Sequence, residues 1–333
     1  SVKYSASIEY ADQTDEIIRH ALRVCQSGTP GPVYIEYPSH VILQELEVPA
    51  PLPPEAYRLV KPGADGEMVA KAAELIKAAS SPVLLVGHAV QCSRGGPQVK
   101  ELAQLMGCPV LQTSGGTAFI DGIEDRTFPY LFAEVADEIV AKADLVVAIG
   151  TEIGEPSHYG KGYLWAEGNV DRKWIYIELD PEAIGVNRPI DVPLVGDLRT
   201  VVPQLSAALK NSPRPEAPDL QRWITEDKQR LANLAEQDFS TESGRVHTGQ
   251  WVVEATKAFP KNGIHVRDGG CTVIFTWTYL QSKPHDVIWN QNFGHLGTGL
   301  PYAIGASVAD GGNRPVLFTT SDSALLFHIG ELE

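Results

Sequence analysis

The sequence predicts an α/β fold built on parallel sheets covered by helices, and three observations carry that expectation. The strand-like segments are continuous apolar runs rather than alternating ones, as in Pro82-Val-Leu-Leu-Val-Gly87, Asp144-Leu-Val-Val-Ala-Ile-Gly150 and Trp174-Ile-Tyr-Ile-Glu-Leu-Asp180. A strand that is apolar on both faces is covered on both faces, which is the habit of parallel sheets. These runs alternate with segments of helical periodicity, and Gly, Pro and Asp mark the junctions.

Taken in order, residues 11–27 predict a helix, with Asp12 to Asp15 at its start and Ile17, Ile18, Ala21, Leu22 and Cys25 on one face. Gly31-Pro-Val-Tyr-Ile-Glu-Tyr-Pro38 follows as a short buried strand. Residues 45–63 are Pro-rich and read as a semi-rigid linker. A regular series then runs over 64–205: a helix at 68–79, the strand at 82–87, a helix at 99–106 stopped by Gly107, and a strand at 109–113. It continues with a helix at 134–143 and the strands at 144–150 and 174–180. Asp180 is expected to cap a helix whose first position is Pro181. Together these elements predict a complete central Rossmann-like domain.

Residues 206–245 form a polar connection containing a helix at 220–235. The segment 246–333 opens with a helix at 250–258 and a strand at 264–268. A Gly269-Gly-Cys-Thr turn and a helix at 273–280 come next. The chain closes with a Gly-rich stretch, Gly294-His-Leu-Gly-Thr-Gly-Leu-Pro-Tyr-Ala-Ile-Gly-Ala306, and a buried strand, Val316-Leu-Phe-Thr-Thr320. An acidic turn, Ser321-Asp-Ser323, and a helix over 324–333 end it.

At 333 residues and 43% apolar content, the chain can bury a large core. No apolar run reaches the length of a membrane span, and no signal peptide is visible at the start. A formal net charge of −15 argues against nucleic-acid and anionic-membrane partners. An anionic ligand would therefore need a local solution, namely a metal ion, helix N-termini or backbone N–H groups. Cys25, Cys92, Cys108 and Cys271 are scattered without a C-x-x-C pair, so reduced thiols in a cytoplasmic protein are expected.

A carboxylate at the carboxyl end of a parallel strand, with a helix behind it, suits Mg²⁺ and a diphosphate. The pairing of 294–306 with 321–323 resembles the diphosphate-binding domain of thiamine-diphosphate-dependent decarboxylases and carboligases. That superfamily includes acetolactate synthase, pyruvate, indolepyruvate and benzoylformate decarboxylases, and 2-hydroxyacyl-CoA lyase. Its members carry a Gly-x-x-Gly-x-x-x-Pro-x-Ala-Ile-Gly-Ala segment, then a strand ending in Gly-Asp-Gly or Gly-Asp-Ser. The resemblance implies that 1–44 ends a pyrimidine-binding domain, that 64–205 is a whole central domain, and that 246–333 begins a diphosphate-binding domain. On that reading the chain holds the middle of the architecture with pieces of two flanking α/β domains. The activating Glu belongs upstream of Ser1 and the second metal ligand beyond Glu333, so this polypeptide alone is expected to be inactive.

The resemblance also implies site residues. Asp322 is the expected Mg²⁺ ligand, with Ser323 offering its N–H or hydroxyl to the diphosphate; a capped helix start is the alternative for that turn. Ser321 departs from the family's first Gly. Leu296 matches the large apolar residue that bends the cofactor, flanked by Gly294, His295 and Gly297. Gly270, in an Asp-x-Gly turn, is a further expected contact, with a plain tight turn as the alternative. The chemistry implied is attack of a thiamine-derived carbanion on a 2-oxo acid, loss of CO₂, and protonation or carboligation, in a homodimer or homotetramer. Acetolactate synthases carry an Arg-Phe-Asp-Asp-Arg-like run where this chain has Thr151-Glu-Ile-Gly-Glu-Pro-Ser-His158, which argues against a flavin site of that kind, so FAD is not expected. Glu152, Glu155 and His158 are read as a solvated loop. Two further readings are a non-catalytic nucleotide-binding module on the central domain and a 2-hydroxyacyl-CoA lyase-like enzyme. The absence of a G-x-G-x-x-G after any strand argues against an NAD-dependent oxidoreductase.

Overall fold

The N-terminal segment folds as a small βαβ unit. Strands β1 (Tyr4–Ser7) and β2 (Val33–Glu36) pair in parallel, Tyr4 opposite Val33. Helix α1 (Thr14–Gln26) crosses between them, and the short α2 (Ser39–Ile42) follows. The helix expected from residue 11 opens as a 3-10 turn at Ala11–Gln13. The computed structural model describes residues 2–47, 50–57, 61–169, 171–241, 244–290 and 294–332. Residues 48–49 and 58–60 of the Pro-rich linker and Glu333 of the expected closing helix lie outside the described residues.

The central segment holds α3 (Gly66–Ala78), β3 (Pro82–Val86), α4 (His88–Cys92), α5 (Gly96–Met106), β4 (Val110–Gln112) and β5 (Thr127–Pro129). It continues with α6 (Glu134–Lys142), β6 (Leu145–Ile149), β7 (Lys173–Glu178), β8 (Val192–Val195) and α7 (Leu198–Leu209). Its six strands form one parallel sheet in the order β5-β4-β3-β6-β7-β8. Numbered within the domain, that is 3-2-1-4-5-6, the doubly wound order, with its topological switch between β3 and β6.

Side chains alternate faces along β3. Leu84 and Val86 join Ile76 of α3, Leu102 of α5 and Leu205 of α7 in one core. Val83 and Leu85 join Ile139 and Val140 of α6 and the indole of Trp174 in the other. Helix α3 starts where Asp65 accepts the N–H groups of Glu67 and Met68 at 3.0 and 3.1 Å. Helix α5 stops at Gly107, which is left-handed at φ +60°.

Four central helices and strands, α4, β5, β8 and α7, lie where no element was expected. Strands β5 and β8 are the two edges of the sheet and contain Pro129 and Pro193. An edge is where a proline fits, because its missing N–H is not owed to a neighbour. Helix α7 contains Pro203, which costs about 3 kcal/mol in a helix interior. Leu198, Val201, Val202, Leu205 and Leu209 bury against the sheet, and each burial is worth about 1.5–3 kcal/mol, so packing wins.

The C-terminal segment opens with α8 (Leu220–Ala235) and α9 (Thr248–Ala258). It continues with β9 (Ile264–Arg267), α10 (Cys271–Tyr279), β10 (Asp286–Trp289), α11 (Gly299–Ala309), β11 (Val316–Thr319) and α12 (Asp322–Leu326). Its parallel sheet runs β10-β9-β11. Cys271 and Thr272, expected in a turn, are the first residues of α10. The single helix expected over 324–333 is instead the five-residue α12 and a separate 3-10 turn, Ile329–Leu332. Only Ala324 of α12 is buried, so little packing is available to extend it. Among the described residues no helix is long and apolar enough to cross a membrane.

Candidate functional site

Strand β9 is central in its sheet, with β10 and β11 on either side, so the crevice at their carboxyl ends is a switch point. The first residue beyond β9 is Asp268, which is 0% exposed. One carboxylate oxygen accepts the N–H groups of Gly269 and Gly297 at 2.7 and 2.9 Å. The other accepts the Gly299 N–H at 3.2 Å and the Thr320 hydroxyl at 3.3 Å. Four neutral donors replace the water that a buried carboxylate loses. The same four bonds tie three strand-end segments together: the turn after β9, the Gly-rich loop before α11, and the end of β11.

That junction gathers the residues expected to form a site. The Leu296 side chain lies over the Gly269–Gly270 turn. Its Cδ2 is 2.8 Å from where a Cβ on Gly269 would stand and 3.6 Å from the equivalent point on Gly270. The carbonyl oxygens of Gly294 and His295 are 3.1 and 3.2 Å from that Gly269 position. Leu296 itself remains 40% exposed, an apolar side chain on the lip of the crevice. Gly297 is buried at φ +88°, and a Cβ there would stand 2.6 Å from Cβ of Phe327. No L side chain fits that place.

Just beyond β11, Ser321 caps α12 by accepting the Ala324 N–H at 3.3 Å. The cap of this turn is therefore Ser321, and Asp322 is the first helical residue. Asp322 is exposed, with one oxygen accepting the Ser323 N–H at 2.7 Å. Ser323 is exposed beside it. Across the crevice, Gly270 at φ +82° precedes α10, whose first N–H groups have no side-chain cap. The Thr272 hydroxyl donates to the Gly269 carbonyl at 3.1 Å. Bare glycine backbone, an apolar lip, two hydroxyl residues and an exposed carboxylate make a donor set suited to a metal-bound diphosphate. An anion beside Asp322 requires a cation between them, and Mg²⁺ with oxygen ligands supplies one.

Sequence reading missed Asp268 as the organiser of this junction, with Thr320 and Phe327. The available signal was an Asp directly after an apolar strand and before Gly-Gly.

The other face of β9 holds a second buried charge. Arg267 donates from Nη1 to the Thr117 hydroxyl at 2.8 Å, in a central-domain loop, and from Nε to His265 Nδ1 at 3.5 Å. His265 Nε2–H then donates to Thr319 Oγ1 at 3.2 Å. Burial pulls Arg267 down to about 9. Burial, then the Arg267 charge, holds His265 well below its ordinary value. Lys283 donates to the carbonyl and hydroxyl of Thr127 at 2.6 and 2.8 Å, and burial pulls it down to about 8. The Phe119 N–H adds a bond to the Pro284 carbonyl at 2.8 Å. These contacts fix the C-terminal sheet against the central domain.

The Glu152, Glu155 and His158 segment does not gather into a metal site; among the described residues no group of three or more His, Cys, Asp or Glu could hold one. Glu152 and Glu155 are exposed and His158 is half-buried, so the loop is solvated at its acidic residues while the residues between them pack inward. Ile153 and Ser157 are buried, His158 Nδ1 and the Tyr130 hydroxyl are 3.1 Å apart, and the Tyr176 hydroxyl donates to the Thr151 carbonyl at 2.6 Å. Asp180 caps a short 3-10 helix, Pro181–Ala183, accepting the Glu182 N–H at 2.9 Å.

The chain matches the family model described as thiamine pyrophosphate enzyme, central domain, over residues 69–205. It matches thiamine pyrophosphate enzyme, C-terminal TPP binding domain, over 268–333. It is 26% identical over 358 residues to a probable acetolactate synthase large subunit of Methanococcus aeolicus, covering 99% of this chain and 57% of that protein. It is 28% identical to chloroplastic acetolactate synthase 1 of Oryza sativa subsp. japonica, covering 99% of this chain and 51% of that one. It is 27% identical to oxalyl-CoA decarboxylase of Escherichia coli K12, covering 95% and 55%. The chain thus spans little more than half the length of the curated relatives it matches. With both matches falling on the sheets described above, the chain belongs to the thiamine-diphosphate-dependent enzyme superfamily.

Proposed function

We propose that the protein decarboxylates or carboligates a 2-oxo acid, as a lyase or transferase dependent on thiamine diphosphate and Mg²⁺. The observation that carries this reading is the junction at Asp268, which ties the Gly-rich loop bearing Leu296 to Thr320 at the end of β11, two residues before the exposed Asp322. Asp322 would hold Mg²⁺. Ser323 and the first N–H groups of α10 beside Gly270 would meet the diphosphate. Leu296 would buttress the cofactor rings, with the carbonyls of Gly294 and His295 and the buried Gly297 turn beside it. When bound, thiamine diphosphate supplies an electron sink for the carbanion left by decarboxylation. Asp268 acts at one remove by holding the glycine turn in place.

A second reading has support of its own. The oxalyl-CoA decarboxylase relative makes a coenzyme A thioester the alternative substrate class. Steady-state assays with pyruvate and with an acyl-CoA 2-oxo acid separate the two.

We also propose a homodimer or homotetramer. Helix α11 is apolar all round, and Tyr302, Ile304 and Val308 are exposed on it, the pattern of a helix covered in an assembly. Four unpaired cysteines support a cytoplasmic setting.

The test is calorimetric titration of the protein with thiamine diphosphate and Mg²⁺, repeated on Asp322→Ala. Binding heat that vanishes in the variant is expected. Undiminished heat in Asp322→Ala, or none in the unaltered protein, overturns the assignment.

A further inference from the structure

Outside the C-terminal crevice, one pair of side chains is arranged for nucleophilic chemistry that the cofactor reading does not use. His88 and Cys92 are four residues apart on α4, which starts directly after β3, at the carboxyl edge of the central sheet. That spacing puts both side chains on one face of a single helical turn. His88 Nδ1 is 3.1 Å from the Gly115 carbonyl, in the loop after the neighbouring strand β4. A carbonyl only accepts, so Nδ1 carries the proton and Nε2 a lone pair. Nε2 lies 3.0 Å from Cys92 Sγ, so the thiol S–H donates to it. Nucleophile, base and an acceptor that orients the base are thus in line. Cys92 is solvent-exposed, so the arrangement is reachable.

We propose that Cys92, with His88 as its base, is a covalent modification site at the carboxyl edge of the central sheet, accepting soft carbon electrophiles and small-molecule disulfides. Surrounding protein atoms push the Cys92 thiol above its ordinary value, so the resting pair is a neutral S–H···N hydrogen bond. Reaction then needs the proton removed as the sulfur attacks. With a disulfide RSSR, Nε2 takes the thiol proton while the bond from Sγ to one sulfur forms and the S–S bond of the reagent breaks. The departing thiolate collects the proton from His88 and leaves as RSH. The cysteine sulfur is oxidised and the reagent is reduced, so no other oxidant is required. With iodoacetamide the S–C bond forms, iodide leaves, and His88 retains the proton until solvent removes it.

The experiment times alkylation by iodoacetamide at pH 7, resolved cysteine by cysteine through peptide mass analysis, with N-acetylcysteine as the free-thiol reference. Cys108 is fully buried and its thiol is pushed up to about 12, so its protection in each sample reports an intact fold. General-base assistance predicts that Cys92 reacts faster than the reference and that His88→Gln slows it by about tenfold or more. Desolvation without assistance predicts the opposite order, Cys92 slower than a free thiol. Glutathione disulfide should likewise add one glutathione to Cys92 and none at that peptide in Cys92→Ser. A Cys92 rate at or below the reference, or one unchanged in His88→Gln while Cys108 stays protected, overturns the proposal.

Discussion

The carboxylate of Asp268 accepts the backbone N–H of Gly297 at 2.9 Å, across 29 residues of sequence that include α10 and β10. This bond and its three companions make one side chain responsible for the shape of the crevice. Asp268→Asn keeps the volume but turns one acceptor oxygen into an NH₂ facing groups that are themselves donors. Losing two acceptances in a buried site should cost about 2–4 kcal/mol. Urea denaturation of the variant checks this, and a change within about 0.5 kcal/mol, the range of ordinary surface substitutions, would show that the junction is held by something else.

Gly297 and Phe327 give a sharper test of the same junction. Gly297→Ala places a Cβ 2.6 Å from Cβ of Phe327 and forces an L residue to φ +88°. Phe327→Gly removes the steric partner at small cost, because Phe327 is 65% exposed. Gly297→Ala should therefore cost less in the Phe327→Gly background, leaving only the backbone penalty of about 1–2 kcal/mol. A double-mutant cycle measures the difference; strict additivity would mean that the two residues do not meet.

The buried strands of the central sheet were legible because each is a continuous apolar run, as at Val83 to Val86 and Leu145 to Ile149. What was missed has physical causes. Pro129 and Pro193 disguise strands that happen to be edges, and Pro203 disguises a helix that packing holds together. Tyr4-Ser-Ala-Ser7 has no apolar run at all and is a strand only because β2 lies beside it. In the crevice, the Gly-rich loop and the Asp322 turn stood out only through their resemblance to the family's pattern. Asp268 did not, because three of its four donors come from 29 and more residues away.

Leu296 separates a cofactor role from a packing role. At 40% exposure, truncation to Ala removes little buried area and should change stability by no more than about 1 kcal/mol. If Leu296 buttresses the cofactor rings, the same truncation made in the full-length protein misplaces them and turnover should fall by about tenfold to a hundredfold, with Leu296→Met close to the unaltered protein. Thermal melting beside kcat for both variants makes the comparison. A large loss of melting temperature with kcat per folded molecule intact would assign Leu296 to packing.

Lys283 gives a pH-dependent prediction with a definite sign. Burial lowers its pKa from 10.5 to about 8, so between those values the unfolded chain binds more protons than the folded one. Stability therefore rises with pH through this window, as the folded ammonium is neutralised first. Below about pH 8 both states are charged and the full cost of burying the ammonium is present. Lys283→Met carries no such group and lacks the increment. The stability of the unaltered protein relative to Lys283→Met should thus climb between pH 7 and 10.5, by on the order of 3 kcal/mol. The bonds to Thr127 survive this change, because a neutral amine still donates two hydrogens to the carbonyl and hydroxyl that hold it. Denaturant titrations of both proteins at half-unit intervals give the curve. A difference that is flat or falling over that range would mean that Lys283 reaches water in the folded protein and that its contact with β5 is not a buried one.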